Sequence, residues 1–181
     1  KAGAYEHALQ TWPNPFSDKE GFPGWHIECS AMIKALFGTT IDIHIGGIEH
    51  VSIHHTNEIA QSEALTNSPL AHYWIHNEHL LVDGKKMSKS EGTSFALSEV
   101  IEKGFDPMSL RYFFLNSHYK SKQNFTWEAL RGAETALKRL RAVLVFTAGV
   151  VSEEYRNKFI EFITNDLDMP QALALAWEVA K

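Results

Sequence analysis

The sequence predicts an α/β fold in its first half and a helical region after it. Within residues 25–82, patterns typical of helix, strand, helix and strand follow one another, and such alternation is typical of an α/β architecture. After residue 94 the chain is predicted to turn helical, and in its longest predicted helix the core-face residues recur at spacings of three and four. The chain has 181 residues, enough for one large domain or two small ones.

The first half begins with an irregular lead-in over residues 1–24, which contains three prolines. A helix is predicted to follow Trp25 and to run to about Phe37, ended by Gly38 because glycine accepts the left-handed conformation at a helix C-terminus. Isoleucines alternate with polar residues over 41–45, which is the period of a half-buried strand. The remaining predictions are a turn at Gly46-Gly47, a helix over 52–65, a strand within 72–82 and a polar loop over 83–94.

The second half is predicted to be a series of helices. A short helix covers residues 97–103, and Asp106 caps the next one, with Pro107 at its first position. Thr126 caps a long helix whose apolar face consists of Leu130, Ala133, Leu137, Leu140 and Leu144. Further helices are predicted over residues 152–164 and from residue 168 onward.

Composition restricts the classes of protein. Cys29 is the only cysteine, which excludes an intrachain disulfide and favours a reducing compartment. The net charge is −5, which is not typical of a nucleic-acid-binding chain, but residues 95–146 carry 8 basic and 5 acidic side chains. That locally basic stretch either faces phosphate or is a solvated helix surface. No stretch is long and apolar enough to cross a membrane, and the opening Lys1 without a start methionine indicates a fragment or a processed chain.

A polar loop over residues 86–90 could bind a polyphosphate. It reads Lys86-Met87-Ser88-Lys89-Ser90, so two ammonium groups and two hydroxyls are available to phosphate oxygens. Most such runs are solvated lysine loops, and that alternative stays open on composition alone. Met87 is expected to pack against the protein, and Trp127 to pack at the start of a helix.

A second group of residues has the chemistry of a metal site. His54 and Glu58 are four residues apart, so both lie on one face of the predicted helix. A histidine nitrogen and a carboxylate at that spacing can share one metal ion, and the Cys29 thiolate would be a third ligand. The alternative is that Cys29 is a small buried apolar residue and that the histidines line a helix.

These segments together resemble the cysteinyl-tRNA synthetase family. The loop over residues 86–90 is identical to the signature loop of class I aminoacyl-tRNA synthetases. The other matching segments are similar to this family in the same order along the chain, from residue 23 to residue 181: residues 24–32, 42–47, 54–63, 73–77, 110–119 and 166–174.

The resemblance implies an α/β fold of a particular kind. Residues 1–94 would form the C-terminal half of a class I Rossmann-like catalytic domain with the zinc site and the signature loop. Residues 95–150 would form a helical connector that contacts the tRNA stem. Residues 151–181 would be the start of a helical-bundle domain that binds tRNA.

The resemblance also implies an activity. Cysteine would react with ATP, with Mg²⁺ present, to give cysteinyl-adenylate, and the cysteinyl group would pass to its tRNA. Cys29, His54 and Glu58 would hold one zinc ion per subunit, which selects the substrate thiol. Trp25 and His44 would contact the amino acid, and Lys89 would be the catalytic contact to phosphate. The ATP contacts would be Lys86, Met87, Ser88, Lys89, Ser90, His44, Gly46 and Gly47. A cytoplasmic, monomeric enzyme without membrane contact is expected.

The sequence departs from the family's pattern at several positions. The early His-Ile-Gly-His motif and an upstream zinc-binding cysteine are absent, and both are expected to precede Lys1. The chain by itself is therefore expected to be inactive. Ile45 replaces one of three glycines, Glu49 replaces aspartate, Ser52-Ile53 replaces Phe-Pro, and Thr93 stands where asparagine is usual. The altered glycine turn bears on the adenosine contacts.

Three alternatives remain at this stage. One is the related ligase that joins cysteine to a glucosaminyl-inositol in mycothiol synthesis, which the helical continuation beyond residue 150 disfavours. Another is a synthetase for a different amino acid, which Cys29 and the pair of His54 and Glu58 disfavour. The third is a non-catalytic, zinc-containing RNA-binding module.

Overall fold

A computed structural model of the chain describes residues 10–14, 16–88, 92–143 and 152–180. The chain divides into two units between His76 and Asn77. The predicted functional boundaries at residues 94 and 150 stay predictions.

The first unit is an α/β arrangement, as the alternating patterns predict. Helices α1 and α2 pack against each other, and strands β3 and β4 are hydrogen-bonded neighbours in one sheet. A two-residue antiparallel pair, β1 with β2, lies in the lead-in and was not predicted. The elements are β1 (Trp12–Pro13), β2 (Glu20–Gly21), α1 (His26–Phe37), β3 (Ile41–Gly47), α2 (Thr56–Thr66) and β4 (Ala71–Asn77).

The end of α1 and the start of α2 differ in how well they were predicted. Gly38 ends α1 with φ +95°, which confirms the predicted glycine stop. The predicted helix start at Ser52 is wrong as a plain α-helix, because a 3₁₀ turn over Ile48–His50 and a π-helical turn over Val51–His55 precede α2. The Thr56 hydroxyl donates to the carbonyl of Val51, five residues earlier, at 2.7 Å. A π turn is wider than an α turn, and here it buries His54 and His55 together.

The interior of the first unit is unusually polar. Among its described residues, Leu70 and Ala71 are the buried apolar side chains, whereas five buried side chains are polar or charged. These are Ser30, His54, His55, Glu58 and Ser62. Buried polar groups are retained only where partners or an ion satisfy them, so this interior identifies the part of the unit where function should be sought.

The second unit combines a three-stranded sheet with five helices among its described residues. The sheet order is β6-β5-β7, with β5 antiparallel to β6 and parallel to β7, so that Val82 lies opposite Phe125. The elements are β5 (Leu80–Val82), β6 (Lys85–Lys86), α3 (Leu97–Glu102), α4 (Pro107–Leu115), β7 (Gln123–Phe125), α5 (Trp127–Val143), α6 (Glu153–Thr164) and α7 (Met169–Val179).

The predicted helix caps of this unit are confirmed. The Asp106 carboxylate accepts from the backbone N–H of Met108 at 2.9 Å, and Pro107 opens α4. The Thr126 hydroxyl accepts from the N–H of Ala129 at 3.0 Å. The short strands β6 and β7 were not predicted, because β7 depends on pairing with a strand some 40 residues earlier and has no clear alternation of its own.

An aromatic and aliphatic core holds the second unit together. Three residues of the predicted α5 face, Leu130, Ala133 and Leu140, are buried in it, while Leu144 lies outside the described residues. Met87 and Trp127 both pack against this core, as expected from the sequence. Across the part of the chain that the structure describes, no helix is both long and apolar enough to span a membrane.

Candidate functional site

Three side chains from three different elements of the first unit converge on one point. Cys29 lies on α1, His54 on the π-helical turn and Glu58 on α2. Their ligand atoms all lie within 4.8 Å of one another. His54 Nε2 is 3.5 Å from Glu58 Oε1, so the predicted i, i+4 pair does share a face. The structure thus brings together the three residues that the sequence singled out.

The distances and the buried carboxylate fit a divalent metal ion such as zinc. Glu58 is fully buried, and among the described residues its Oε1 atom has no hydrogen-bond partner. A buried carboxylate oxygen without a partner is costly unless a cation or donor faces it. Two ligand atoms that are each about 2.1 Å from a tetrahedral zinc ion are about 3.4 Å apart, close to the 3.5 Å between His54 Nε2 and Glu58 Oε1. Thiolate, imidazole and carboxylate are the ligand types that zinc prefers.

The protonation states suit the same role. Burial lowers the pKa of His54, although the nearby Glu58 carboxylate opposes that effect, so the imidazole keeps a free lone pair near neutral pH. Burial, followed by the negative charge of Glu58, raises the pKa of the Cys29 thiol. Cys29 therefore holds its proton until a cation binds, and metal binding should release that proton.

A second group surrounds the other oxygen of Glu58. Its Oε2 atom accepts a hydrogen bond from His44 Nε2 at 2.9 Å, and ligand atoms of His44, His55 and Glu58 lie within 4.8 Å of one another. His55 Nδ1 is in turn 2.7 Å from His76 Nε2. Burial, with the neighbouring His44 and His76, lowers the pKa of His55 to about 4, so this ring is neutral. The second group thus contains two hydrogen-bonded pairs, His44 with Glu58 and His55 with His76, and the rings of His44 and His55 lie 4.6 Å apart.

Two tryptophans border the cluster of imidazoles. The Trp25 ring stacks on His54 with 4.0 Å between centroids and is 49% exposed. The Trp74 ring stacks on His44 at 4.6 Å. Trp25 therefore combines a contact to a candidate metal ligand with an open surface, which is the arrangement expected of a side chain that borders a binding pocket.

The two glycines of the predicted turn differ in their surroundings. A Cβ atom added to Gly46 would lie 2.5 Å from the ring of the buried His55. At Gly47 the atoms nearest to an added Cβ belong to the carboxylate end of the exposed Glu49 side chain, at 2.3 Å. A glycine is thus required at Gly46 by the close approach of the backbone to the histidine cluster.

The predicted phosphate loop lies in the second unit. Lys86, Met87, Ser88 and Thr93 line an open depression together with Lys85. Thr93 closes the loop, because its hydroxyl accepts from the N–H of Ser88 at 2.8 Å and its own N–H donates to the Ser88 carbonyl at 3.1 Å. The hydroxyl of Thr93 thus provides a hydrogen-bond acceptor for the backbone N–H of Ser88. Lys89 and Ser90 lie outside the described residues.

Sequence reasoning assigned no role to several members of the imidazole cluster. His26, His50, His76 and Trp74 all have ring contacts within it. One signal was available, because eight of the ten histidines lie between residues 26 and 79. The high density of histidines indicates that this segment is of interest, but it does not predict which rings are in contact.

Comparison with known proteins places the chain among synthetases. The profile of the family described as "tRNA synthetases class I (C) catalytic domain" matches residues 3–135. The cysteine–tRNA ligase of Chlamydia muridarum is 44% identical over 176 residues, and the match covers 90% of this chain and 37% of that protein. Cysteine–tRNA ligase 1 of Burkholderia lata is also 44% identical, over 173 residues, covering 94% of this chain and 36% of that protein. The chain thus spans little more than a third of the length of these relatives.

A solved structure supports the fold. The leucyl enzyme (LeuRS) of Agrobacterium radiobacter K84, in a ternary complex with tRNA and LeuAMS, matches 77% of this chain and 22% of its own with a TM-score of 0.60. The sequence identity is 19%, so this similarity bears on the fold alone. It confirms the predicted α/β class with the architecture of a class I catalytic domain.

Proposed function

Because this chain belongs to the class I (C) family of tRNA synthetase catalytic domains, we propose that it is the second half of the catalytic domain of a cysteine–tRNA ligase. The complete ligase would join cysteine to ATP as cysteinyl-adenylate and then transfer the cysteinyl group to the 3′ end of its tRNA. One observation carries the proposal: Cys29, His54 and Glu58 converge in a chain that is 44% identical to cysteine–tRNA ligases.

The converging residues supply a means of selecting the substrate. Cys29, His54 and Glu58 would hold zinc, and an imidazole that is neutral and a carboxylate that lacks a donor on one oxygen both support this role. Zinc bound there would coordinate a thiolate far better than a hydroxyl, which distinguishes cysteine from serine where shape alone discriminates poorly. Trp25, stacked on His54 and half exposed, would form one wall of the amino-acid pocket, and His44 would lie beside it.

The remaining parts of the chain would position ATP and tRNA. The loop over residues 86–90, in which Ser88 is hydrogen-bonded to Thr93, would contact the triphosphate through its lysines, hydroxyls and backbone N–H groups. ATP would bind with Mg²⁺, and Gly46 and Gly47 would lie near the adenosine. The locally basic stretch over residues 95–146 would face the tRNA stem.

The test measures zinc content and cysteine-dependent ATP–pyrophosphate exchange in the complete ligase, comparing wild type with Cys29→Ser and His54→Ala. Both variants should hold less zinc and should show a higher KM for cysteine, because each lacks one ligand of the selecting ion. His72→Ala is the matched control, since His72 is an exposed histidine of the same unit. The proposal is wrong if the variants keep their zinc, or if zinc-free protein prefers cysteine over serine by the wild-type factor.

A further inference from the structure

Two hydrogen bonds involve the atoms of the proposed metal ligands that do not face the metal position. His54 has Nε2 near Glu58 Oε1, at 3.5 Å, while its other nitrogen, Nδ1, is 2.8 Å from Nδ1 of His26. Glu58 directs Oε1 toward His54, while its other oxygen, Oε2, is 2.9 Å from Nε2 of His44. In both ligands, therefore, the atom that does not face the metal position is engaged by a histidine.

The bond from His26 determines which nitrogen of His54 can bind a metal. A neutral imidazole carries one proton, and only the unprotonated nitrogen has a lone pair for a metal. If His54 donates its Nδ1 proton to His26, then Nε2 is free to coordinate. If the proton shared by the two Nδ1 atoms were instead bonded to His26, the neutral His54 ring would carry its own proton on Nε2. That nitrogen could then not act as a ligand. Coordination through Nε2 thus requires that Nδ1 of His26 is the acceptor.

The bond from His44 acts on the carboxylate in the same way. His44 Nε2 donates to Oε2 of Glu58, which leaves Oε1 as the oxygen without a hydrogen-bond partner among the described residues. Glu58 is fully buried, so water does not compete for either oxygen. The His44 ring is itself held by stacking on Trp74. Its hydrogen bond therefore favours coordination through one oxygen of Glu58.

We propose that His26 and His44 are positioning residues for the metal ligands: His26 sets the tautomer of His54, and His44 selects the oxygen of Glu58. This inference rests on the proposed zinc site. Partners of this kind typically contribute 10- to 100-fold to metal affinity, because they orient a ligand and raise its basicity. His26 is the first residue of α1 and is only partly buried, so its replacement should leave the helix intact.

The two bonds use different nitrogens, and this allows a crossed test. The side-chain amide of asparagine can occupy the position of a histidine Nδ1, whereas that of glutamine can occupy the position of Nε2. At residue 26, where Nδ1 is used, His26→Asn should retain zinc affinity while His26→Gln and His26→Ala should lose about 10-fold or more. At residue 44, where Nε2 is used, the pattern is reversed. His44→Gln should retain the zinc affinity, while His44→Asn and His44→Ala should lower it.

The measurements are made on the complete ligase. Zinc dissociation constants come from competition with a chromogenic chelator, and the visible spectrum of the cobalt(II)-substituted protein reports on ligand geometry. Thermal unfolding of each metal-free variant shows whether a loss is one of folding. His50→Ala is the matched control, because the His50 ring lies 5.2 Å from that of His54 yet shares no hydrogen bond with it among the described residues, and its zinc affinity should stay unchanged.

The outcomes separate this inference from the proposed function. If wild type binds no zinc, or if Cys29→Ser and Glu58→Gln bind it as tightly as wild type, the metal site itself is wrong and this inference falls with it. If those two variants lose zinc but His26→Ala and His44→Ala do not, only the positioning roles are wrong. If asparagine and glutamine act alike at both positions, the hydrogen bonds assigned here do not control the ligands.

Discussion

Gly46 lies where the backbone passes close to the buried His55. Gly46→Ala would bring a methyl group to 2.5 Å from the ring of His55, which is 3% exposed and cannot swing into solvent. Overpacking of this kind costs about 1–3 kcal/mol. We therefore expect the free energy of unfolding of the chain to fall by about that amount, measured by urea unfolding.

The neighbouring glycine is the matched control for this substitution. Gly47 has φ −72°, which alanine adopts without strain, and the atoms nearest to its added methyl group belong to the end of the exposed Glu49 side chain. Gly47→Ala should therefore destabilise less than Gly46→Ala, because the end of a flexible side chain can shift where a buried ring cannot. Equal losses from Gly46→Ala and Gly47→Ala would show that the His55 ring is not the cause.

Lys89 should matter for adenylate formation far more than for folding. It lies in the polar loop that resembles the class I signature, so its positive charge should stabilise the triphosphate as pyrophosphate departs. In the complete ligase, Lys89→Ala should lower the rate of ATP–pyrophosphate exchange by about 100-fold or more while thermal unfolding stays unchanged. Lys122→Ala removes an exposed lysine of the same unit as a control. A near-normal exchange rate for Lys89→Ala would remove this lysine from the mechanism.

At the scale of single residues, the sequence predicted only those contacts that follow from residue spacing or from the resemblance to a family. The approach of His54 to Glu58 follows from helical spacing, since the two residues are four apart. His26 meets His54 across 28 residues of sequence, and nothing local indicates which nitrogens face each other. Tautomers and ring contacts depend on how separate elements pack, so they became visible only in the structure.

At the scale of elements, the cap of α5 gives a direct test of local stabilisation. The Thr126 hydroxyl accepts from the N–H of Ala129, one of the backbone donors that lack a partner within the helix. Thr126→Ala should lower the free energy of unfolding by about 1 kcal/mol, measured by urea unfolding.

The same substitution in the middle of α5 should act in the opposite direction. Thr135 is exposed, and its hydroxyl bonds only to the carbonyl of Arg131 in the same helix. Thr135→Ala should be neutral or slightly stabilising, because alanine has the higher helix propensity. A destabilisation by Thr135→Ala as large as that by Thr126→Ala would contradict the capping role.

The junction between α6 and α7 should depend on pH through Asp166. Its carboxylate accepts from Tyr119 Oη and Lys120 Nζ, and its carbonyl accepts from His118 Nε2 at 2.8 Å. The Lys120 hydrogen bond, with that of Tyr119, lowers the pKa of Asp166 below its ordinary value of 3.8. A lowered carboxyl pKa stabilises the fold above the unfolded-state pKa, and that contribution is lost as the pH falls through the folded-state value.

The corresponding experiment replaces Asp166 with asparagine, which tolerates the observed left-handed φ of +54° and so adds no backbone strain. Asp166→Asn should lower the Tm at pH 7, and the difference from wild type should shrink as the pH falls below 3.8. Glu102→Gln is the control, because Glu102 is exposed and has no ion pair among the described residues. A pH-independent difference for Asp166→Asn would contradict the ionic contribution.

The elements themselves were predictable where their causes are local. Asp106 and Thr126 cap helices through groups two or three residues away, so the sequence was enough to locate both starts. Strand β7 exists because it pairs in parallel with β5, a partner some 40 residues earlier, and no local pattern predicts it. The π-helical turn before α2 was likewise not predictable from a local pattern, since it arises where two histidines must be buried together.

At the scale of the whole molecule, the two units are stabilised by different means. The second unit has an apolar core that includes Leu130, which is fully buried, and Phe125. Among the described residues of the first unit, polar and charged side chains outnumber apolar ones in the interior. Apolar burial is the dominant favourable contribution to folding, so the first unit should depend more strongly on a bound ion than the second does.

This difference leads to a prediction for hydrogen exchange in the 181-residue chain. Without metal, amides of α1 and α2 should exchange faster than those of α5, because local opening of the first unit exposes less apolar surface. Zinc at about 100 times its dissociation constant should stabilise the first unit by about 2.7 kcal/mol and slow exchange in α1 and α2 accordingly. Exchange in α5 should not respond, and Glu58→Gln should abolish the response of α1 and α2. Equal protection of both units without metal, or slowing by zinc in α5 as well, would contradict the division into a metal-dependent unit and a unit that an apolar core stabilises.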